Sequence, residues 1–239
     1  SFLTLFLWRR SSLSINIIYS QSNNKFKPID IFSLEYVSNP KISPDGKKVL
    51  YVRNFKDIMT DKNHSNIWII DFDGKNNTPL TTGNKNDFDP TWSNSGDKFT
   101  YKSNSDDTVQ LYLYALGQKS NQKLTNLQNS VSSVDWSEDD KYLVFISFVE
   151  KPSVSLIKMP EKPKGAKWND PASEIDGIKY RSDGRGYLNQ GFSQVFILPT
   201  EGGTPRQITF LNNNASSPKW LAKNKIIFSA NLHEDSDLE

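Results

Sequence analysis

The sequence contains no cysteine and only two histidines among its 239 residues. The lack of cysteine excludes disulfides and thiolate metal sites. The two histidines, His64 and His233, lie far apart, so neither has a second ligand at a metal-binding spacing, and we expect His64 to be a surface residue. Asp71–Asn76 begins like a calcium loop, but Thr82 stands where such a loop needs a bidentate glutamate. We therefore predict no metal site and no cofactor.

The sequence also lacks a charge imbalance. Its 29 basic and 27 acidic residues give a net charge of +2, and the basic residues are scattered at turns, so no nucleic-acid partner is indicated. At 36% hydrophobic residues, the chain can bury the core of one domain. The 12% aromatic content, β-branched runs and Gly/Pro/Asn/Asp-rich turns favour strands over helices.

No apolar run is long enough to cross a membrane. Residues 1–27 form a distinct leader, in which the apolar Phe2–Trp8 is interrupted by Arg9–Arg10 before a second apolar run that ends at Ser20. One interpretation is a secretory signal with a small residue ahead of the mature chain, and the other is a disordered leader, because two arginines inside the apolar region are atypical of signals. The protein would be periplasmic or secreted in the first case and cytoplasmic in the second.

What the chain does contain is a repeat. Asn39–Arg53 has the pattern of a short strand, a tight turn and a second strand. The turn is Ser43–Gly46, in which Pro44 fixes φ for one turn position and Gly46 supplies the positive φ at the exit. Three further copies follow, at Asp89–Tyr101, Val134–Phe145 and Ser217–Phe228.

Other landmarks recur at the same spacing. One strand is centred, in successive copies, on Trp68, Tyr112 and Phe196. A strand that ends in threonine recurs at Leu80, Leu124 and Ile208. In both series the first step is 44 residues and the second is 84. The equal steps indicate one unit of about 44 residues, with roughly 40 inserted in the third copy, and this period is typical of a four-stranded propeller blade.

The sequence therefore predicts an all-β fold, an incomplete β-propeller of about three and a half four-stranded blades. The turn Ser43–Gly46 followed by Lys47–Tyr51 resembles the repeat of TolB-like or WD-like propellers. A short helix within Pro28–Val37 would precede the first blade, because its apolar residues have loosely helical spacing. The predicted propeller spans residues 28–239. Its predicted blades are 39–84, 85–128, 129–212 and the incomplete 213–239.

The insertion in the third blade, residues 149–192, is a candidate functional element. Its first part is rich in proline, and its second part predicts a hairpin around Asp183–Gly184. A long loop within a compact blade is either functional or disordered. Its aromatic and charged residues leave two interpretations open, packing against a neighbouring blade or domain and contact with a substrate.

Several longer motifs carry a resemblance. They are Phe32–Gly46, Asp57–Asp61, Ile178–Leu188, Glu201–Thr209 and Ser229–Asp235. In their order they resemble the propeller of the prolyl oligopeptidase family of serine peptidases, in its dipeptidyl-peptidase and acylaminoacyl-peptidase branch. The similarity covers about residues 28 to 235. The departures from the repeat pattern are the degenerate turns at Ser93–Gly96 and Ser137–Asp140 and the altered segment Leu221–Asn224.

The resemblance implies a two-domain enzyme, in which a propeller caps a C-terminal α/β-hydrolase domain that carries a Ser-His-Asp triad. That chemistry needs a serine on a Gly-x-Ser-x-Gly elbow, and no two glycines of this chain stand four residues apart. We therefore predict that the chain has no catalytic residue and is not an enzyme alone. Its partners would be the hydrolase domain and a peptide substrate, whose access it would restrict and whose amino end it would bind.

Four residues are candidates for peptide binding. Glu234 and Asp235 follow the fourth copy, and a carboxylate can pair with a peptide's free amine. The alternative is that these two acids form a solvated turn, since charged pairs mostly stay exposed. Arg185 and Tyr187 are the candidates on the insertion. Two other classes remain open, a TolB-like propeller that binds proteins without enzyme activity and a degraded gene product without function.

Overall fold

The computed structural model describes residues 25–151, 160–168, 180–184, 186–222 and 224–233. The predicted leader therefore lies outside the described residues, apart from its last three positions. The short N-terminal helix is a 3₁₀ helix, Pro28–Ser33. It begins at a proline, whose fixed φ suits a first helical position, and the Asp30 carboxylate accepts a 2.8 Å hydrogen bond from the Lys27 amide. Among all the residues that the structure describes, no helix is long and apolar enough to cross a membrane.

The first two sheets each contain four consecutive antiparallel strands. Sheet 1 consists of β1 (Tyr36–Ile42), β2 (Lys48–Asp57), β3 (Lys62–Asp71) and β4 (Thr78–Pro79). Sheet 2 consists of β5 (Asp87–Trp92), β6 (Lys98–Ser103), β7 (Gln110–Ala115) and β8 (Ser120–Lys123).

The remaining strands form two further sheets and one separate hairpin. In chain order they are β9 (Val131–Trp136), β10 (Tyr142–Glu150), β11 (Arg181–Ser182), β12 (Gly186–Tyr187), β13 (Gly191–Pro199), β14 (Arg206–Gln207), β15 (Ala215–Ala222) and β16 (Lys225–Ala230). Sheet 3 contains β9, β10, β13 and β14, and sheet 4 contains β15 and β16. The insertion hairpin β11–β12 lies between β10 and β13. The predicted all-β fold with four-stranded sheets is confirmed.

The sheets pack face to face in chain order, as the side chains of β10 show. Leu143 and Phe145 join a buried cluster with residues of sheet 2, whereas Val144 and Ile146 join a cluster with residues of sheet 4. Successive side chains of a strand point to opposite faces, so sheet 3 buries both of its faces. This explains why β10 is a continuous apolar run and not an alternating one.

In sheets 1, 2 and 3 the turn between the first two strands is organised by a serine. In sheet 1 the Gly46 amide donates to the Ser43 carbonyl (2.9 Å), and Gly46 has the predicted positive φ of 72°. The serine hydroxyls accept the amide five residues ahead, in the pairs Ser43–Lys48, Ser93–Lys98 and Ser137–Tyr142. The two turns with degenerate sequences thus keep the same hydrogen bond, because the serine carries it.

Tryptophan side chains connect the first strands of sheets 2 and 3 to the preceding sheet. The Trp92 indole donates to the Lys41 carbonyl (2.9 Å), and the Trp136 indole donates to the Thr91 carbonyl (3.1 Å). The two acceptors occupy equivalent repeat positions. Trp220 has the equivalent place on β15, but its buried indole N–H makes no hydrogen bond to a described residue.

The two ends of each sheet, along the direction of its strands, differ in the turns and loops that they bear. At the turn end, where the first and second strands meet, the Asp140 carboxylate of sheet 3 accepts hydrogen bonds from the amides of Asn94 and Ser95 in sheet 2. The opposite end, the insertion end, carries the hairpins β2–β3 and β6–β7 and the insertion. The base of the insertion is closed by the pairing of Glu150 with Gly191.

Candidate functional site

The candidate site arises from a difference in strand length at the insertion end. In sheet 1, Val37 pairs with Arg53, and in sheet 2 the equivalent Asp87 pairs with Ser103. Strand β6 ends at Ser103, whereas β2 continues four residues beyond Arg53 to Asp57. Four residues of strand extend about 13 Å. Hairpin β2–β3 therefore overhangs sheet 2 and leaves a cavity beside it.

This cavity, the inter-sheet notch, has a volume of about 590 Å³. It is lined by Asp61–His64 of the overhanging hairpin, Asn84–Asn86 of the connection between the sheets, and Asn104–Ser105 after β6. The Asn86 amide donates to the Asn104 side-chain oxygen (2.7 Å), and the Asn104 amide donates to the Asn86 carbonyl (3.1 Å). These two hydrogen bonds between Asn86 and Asn104 hold the floor of the notch in place.

The charged groups of the notch lie at different depths. Lys62, Lys85 and Asp61 line the cavity. The Lys85 ammonium lies 3.8 Å from a carboxylate oxygen of Asp87 and 5.9 Å from the centroid of the Tyr112 ring. The Lys85 side chain is 29% exposed and that of Asp87 is 0% exposed. The notch therefore presents a cation that is held from beneath by a buried carboxylate.

Asp87 is unusual for its place in the repeat. The equivalent residues of sheets 3 and 4 are Val131 and Ala215, both buried. Neither oxygen of Asp87 receives a hydrogen bond from a described residue. Burial and the nearby Asp87 charge raise the pKa of Tyr101. The junction of sheets 1 and 2 thus holds polar groups where the repeat elsewhere uses hydrocarbon.

His64 is not the surface residue that the sequence led us to expect. It is 7% exposed, and its ring centroid lies 5.6 Å from that of Phe55. The expectation is wrong because β2 and β3 stay paired far enough to set these two residues opposite each other. Neither ring nitrogen has a hydrogen-bond partner among the described residues. Within these residues no group of three or more acidic, histidine or cysteine side chains could hold a metal ion.

Of the four predicted peptide-binding residues, the structure describes Tyr187. It lies on β12 opposite Arg181, is 71% exposed, and stacks on Tyr180 with ring centroids 6.4 Å apart. Tyr187 does not line the notch. Arg185, Glu234 and Asp235 lie outside the described residues, so their roles remain predictions.

Sequence reasoning missed Lys85 and Asp87. The signal that could have found Asp87 was the repeat itself. With the tryptophans aligned, Asp87 falls in a column with Val37, Val131 and Ala215, where a charged residue is anomalous. Lys85 gives no such signal, because its contact with Asp87 depends on the geometry of the connection between the sheets.

Sequence comparison shows that the chain is similar to part of several larger peptidases. Over 211 residues the chain is 29% identical to "Uncharacterized peptidase YuxL" of Bacillus subtilis (strain 168), covering 87% of this chain and 31% of that protein. It is 26% identical over 113 residues to dipeptidyl-peptidase 5 of Porphyromonas gingivalis, covering 47% of this chain and 16% of that protein. The chain thus spans less than a third of the length of these relatives.

Solved structures show the same fold. The acylaminoacyl peptidase of Pyrococcus horikoshii superposes with a TM-score of 0.60 at 17% identity, over 82% of this chain and 28% of that one. The oligogalacturonate lyase of Vibrio parahaemolyticus gives a TM-score of 0.53 at 16% identity, over 82% of this chain and 46% of that one.

The sequence pattern of the "TolB beta propeller domain" family, PD40, matches residues 9–167, which is more than half of the chain. The resemblance to the propeller portion of peptidases, drawn above from the motifs, is confirmed by the named relatives. The chain belongs to the TolB β-propeller domain family, PD40, and it is related to the propeller domains of larger peptidases.

Proposed function

We propose that the chain is the propeller portion of a serine peptidase of the prolyl oligopeptidase family. In this role it restricts access to the active site of an α/β-hydrolase domain and contributes to binding the peptide substrate. The observation that carries the proposal is the alignment of 87% of this chain with 31% of a protein named as a peptidase. The chain itself supplies no nucleophile elbow, so the hydrolase domain performs the chemistry.

The architecture supports ligand binding at the insertion end. Packing between sheets covers the faces of the inner sheets, so ligands have access mainly to the ends of the strands. At the insertion end the notch opens beside the overhanging hairpin, and the insertion adds the exposed aromatic residues Trp168 and Tyr187. Aromatic side chains with a few polar groups are typical of sites that bind small ligands and peptides.

A chimera tests this function. The aligned region of the Bacillus subtilis relative is replaced by this chain, and hydrolysis of a short chromogenic peptide is compared with hydrolysis of a large unfolded protein. We expect the isolated chain to show no turnover, and we expect the chimera to cleave the short peptide and to exclude the protein. The control is the same hydrolase domain without a propeller, which should cleave both substrates.

Two results would contradict the proposal. One is turnover by the isolated chain that a serine-directed inhibitor abolishes, because the chain would then contain its own catalytic machinery. The other is a chimera that cleaves the protein as fast as the hydrolase domain without a propeller does, because the propeller would then restrict nothing.

A second candidate function is a propeller that binds a protein partner without any hydrolase domain. The match to the TolB propeller domain family favours it, because that match concerns the repeats alone. The coding sequence downstream distinguishes the two functions. Further blades followed by a Gly-x-Ser-x-Gly elbow indicate the peptidase, and a stop codon after a last repeat indicates the binding module.

A further inference from the structure

We propose that the inter-sheet notch binds a carboxylate of a peptide, with Lys85 as the cation that receives it. The inference rests on the proposed function, which supplies a peptide as the ligand, and adds a subsite to it. An ammonium group and a carboxylate form a charge-assisted hydrogen bond, which is stronger than a hydrogen bond between neutral groups.

The charges that face the cavity favour an anionic ligand. Lys62 and Lys85 line the notch together with one acid, Asp61, so the lining carries a net positive charge. Asp87 is fully buried and is not part of the lining, so it contacts Lys85 from the protein side. The Lys85 side chain is partly exposed and lines the cavity that a ligand would enter.

Asp87 has the features of a residue that positions Lys85. A buried carboxylate without hydrogen bonds is costly, and sheets 3 and 4 avoid that cost with Val131 and Ala215 at the equivalent positions. In sheet 2 the carboxylate attracts the Lys85 ammonium toward the floor of the notch, beside the Tyr112 ring. The Tyr112 hydroxyl is in turn hydrogen-bonded to Ser105 at 2.8 Å, so the ring is fixed.

The next junction of the fold serves as an internal comparison. Between sheets 2 and 3, the positions equivalent to Lys85 and Asp87 are Asn129 and Val131. Strand β6 ends at Ser103, whereas β10 continues beyond the equivalent Ser147 to Glu150, and its Phe148 carbonyl accepts a hydrogen bond from the Asn129 side chain. At the junction of sheets 2 and 3, the longer strand β10 therefore occurs together with asparagine in place of Lys85 and valine in place of Asp87. This difference indicates that the notch is a specific site and not a general property of the repeat.

Binding to the intact chain tests the inference. Three acetylated tetrapeptides are titrated by calorimetry, one with a free C-terminal carboxylate, one with a C-terminal amide, and one amide with a glutamate side chain. We expect the free acid to bind about tenfold more tightly than the plain amide. Tight binding of the glutamate amide assigns the site to acidic side chains as well, and weak binding of it restricts the site to peptide C-termini.

Variants locate the interaction. Lys85→Gln should remove the preference for the carboxylate, and Lys75→Gln, at an exposed lysine of the turn end, should leave it unchanged. Because Lys85→Gln leaves Asp87 buried without a cation, the double variant Lys85→Gln/Asp87→Val removes both charges and should fold while lacking the preference. Equal binding of acid and amide by the unaltered chain, or a preference that survives in both Lys85 variants, would overturn the inference. These binding results do not depend on the hydrolase chimera, so either proposal can fail alone.

Discussion

Asp87 is the residue at which the repeat departs furthest from its own pattern. A fully buried carboxylate that accepts no hydrogen bond is costly, whereas the partly exposed Lys85 can stay hydrated without it, and the repeat already places valine at the equivalent position of sheet 3. We expect Asp87→Val to raise the free energy of unfolding by about 1 kcal/mol or leave it unchanged, measured by urea denaturation. The reciprocal control, Val131→Asp, should lower it by about 3 kcal/mol or more.

A different result would change the role of Asp87. If Asp87→Val lowers the free energy of unfolding by more than about 1 kcal/mol, the Asp87–Lys85 pair stabilises the fold. That stabilisation would then explain the buried carboxylate, and no role in ligand binding would be needed to explain it.

The turn aspartates make a prediction about pH. The hydroxyls of Ser43 and Ser137 donate to Asp45 and Asp139, and these hydrogen bonds hold the pKa of each carboxyl below its ordinary value. A lowered pKa in the folded state means that the stabilisation is present above the unfolded pKa of about 3.9 and is lost as the pH falls through the folded pKa. We expect Ser43→Ala to raise the pKa of Asp45 toward its ordinary value, measured by NMR of the carboxyl carbons.

Asp139 is the internal control for that experiment, because its hydrogen-bond partner Ser137 is unchanged in the Ser43→Ala variant. An Asp45 pKa that does not move in the variant would show that the serine hydroxyl is not its main cause.

Among the secondary-structure elements, β13 depends on its first residue. A Cβ atom at Gly191 would lie 2.2 Å from the Val149 carbonyl oxygen, so the pairing that closes the insertion requires glycine there. We expect Gly191→Ala to lower the free energy of unfolding by about 3 kcal/mol, measured by urea denaturation, because the backbone of β10 or β13 must shift.

The matched control is Gly117→Ala, since Gly117 has no positive φ and no atom within 4 Å of the added methyl group. If the two substitutions have equal effects, the close approach of β13 to β10 does not determine stability.

The elements were predicted more completely than the site, for a physical reason. Strands and turns follow from local patterns, so the copies, the insertion hairpin and even the turn at Ser137 could be found in the sequence. The notch follows from the relative lengths of β2 and β6, which pairing between strands sets and periodicity does not encode. The Lys85–Asp87 contact depends in addition on how the connection at Asn84–Asn86 folds back on β3, where the Lys85 carbonyl accepts the Ser65 amide.

At the scale of the whole molecule, the first and last sheets each have a face that no described sheet covers. Val37 is 68% exposed, although its counterparts in sheets 2, 3 and 4 are buried. Ile227 of β16 is 56% exposed, whereas its counterpart Val144 is fully buried. Each face is one half of the interface that repeats between the inner sheets, so a second copy of the chain can supply the other half.

We expect the isolated chain to self-associate in a concentration-dependent manner, which sedimentation velocity measures. Ile227→Lys should shift the sample toward monomer, because it places a charge in the apolar contact. Met59→Lys is the control, at a residue that is exposed on the hairpin between β2 and β3 and not on a sheet face. A monomer at all concentrations would show that the two faces do not fit each other.

The overhang of hairpin β2–β3 has a consequence for how such a protein diversifies. Adjacent side chains of a strand alternate between the two faces of the sheet. Lengthening each arm of the hairpin by one residue would therefore move the side chains at its tip to the opposite face, whereas lengthening each arm by two residues would keep them on the same face. Recess depth at the end of a blade should therefore vary among relatives in increments of about 6.6 Å. Such changes in hairpin length do not alter the residues packed between the sheets. The ligand preference of the notch can therefore evolve without a change in the core that stabilises the fold.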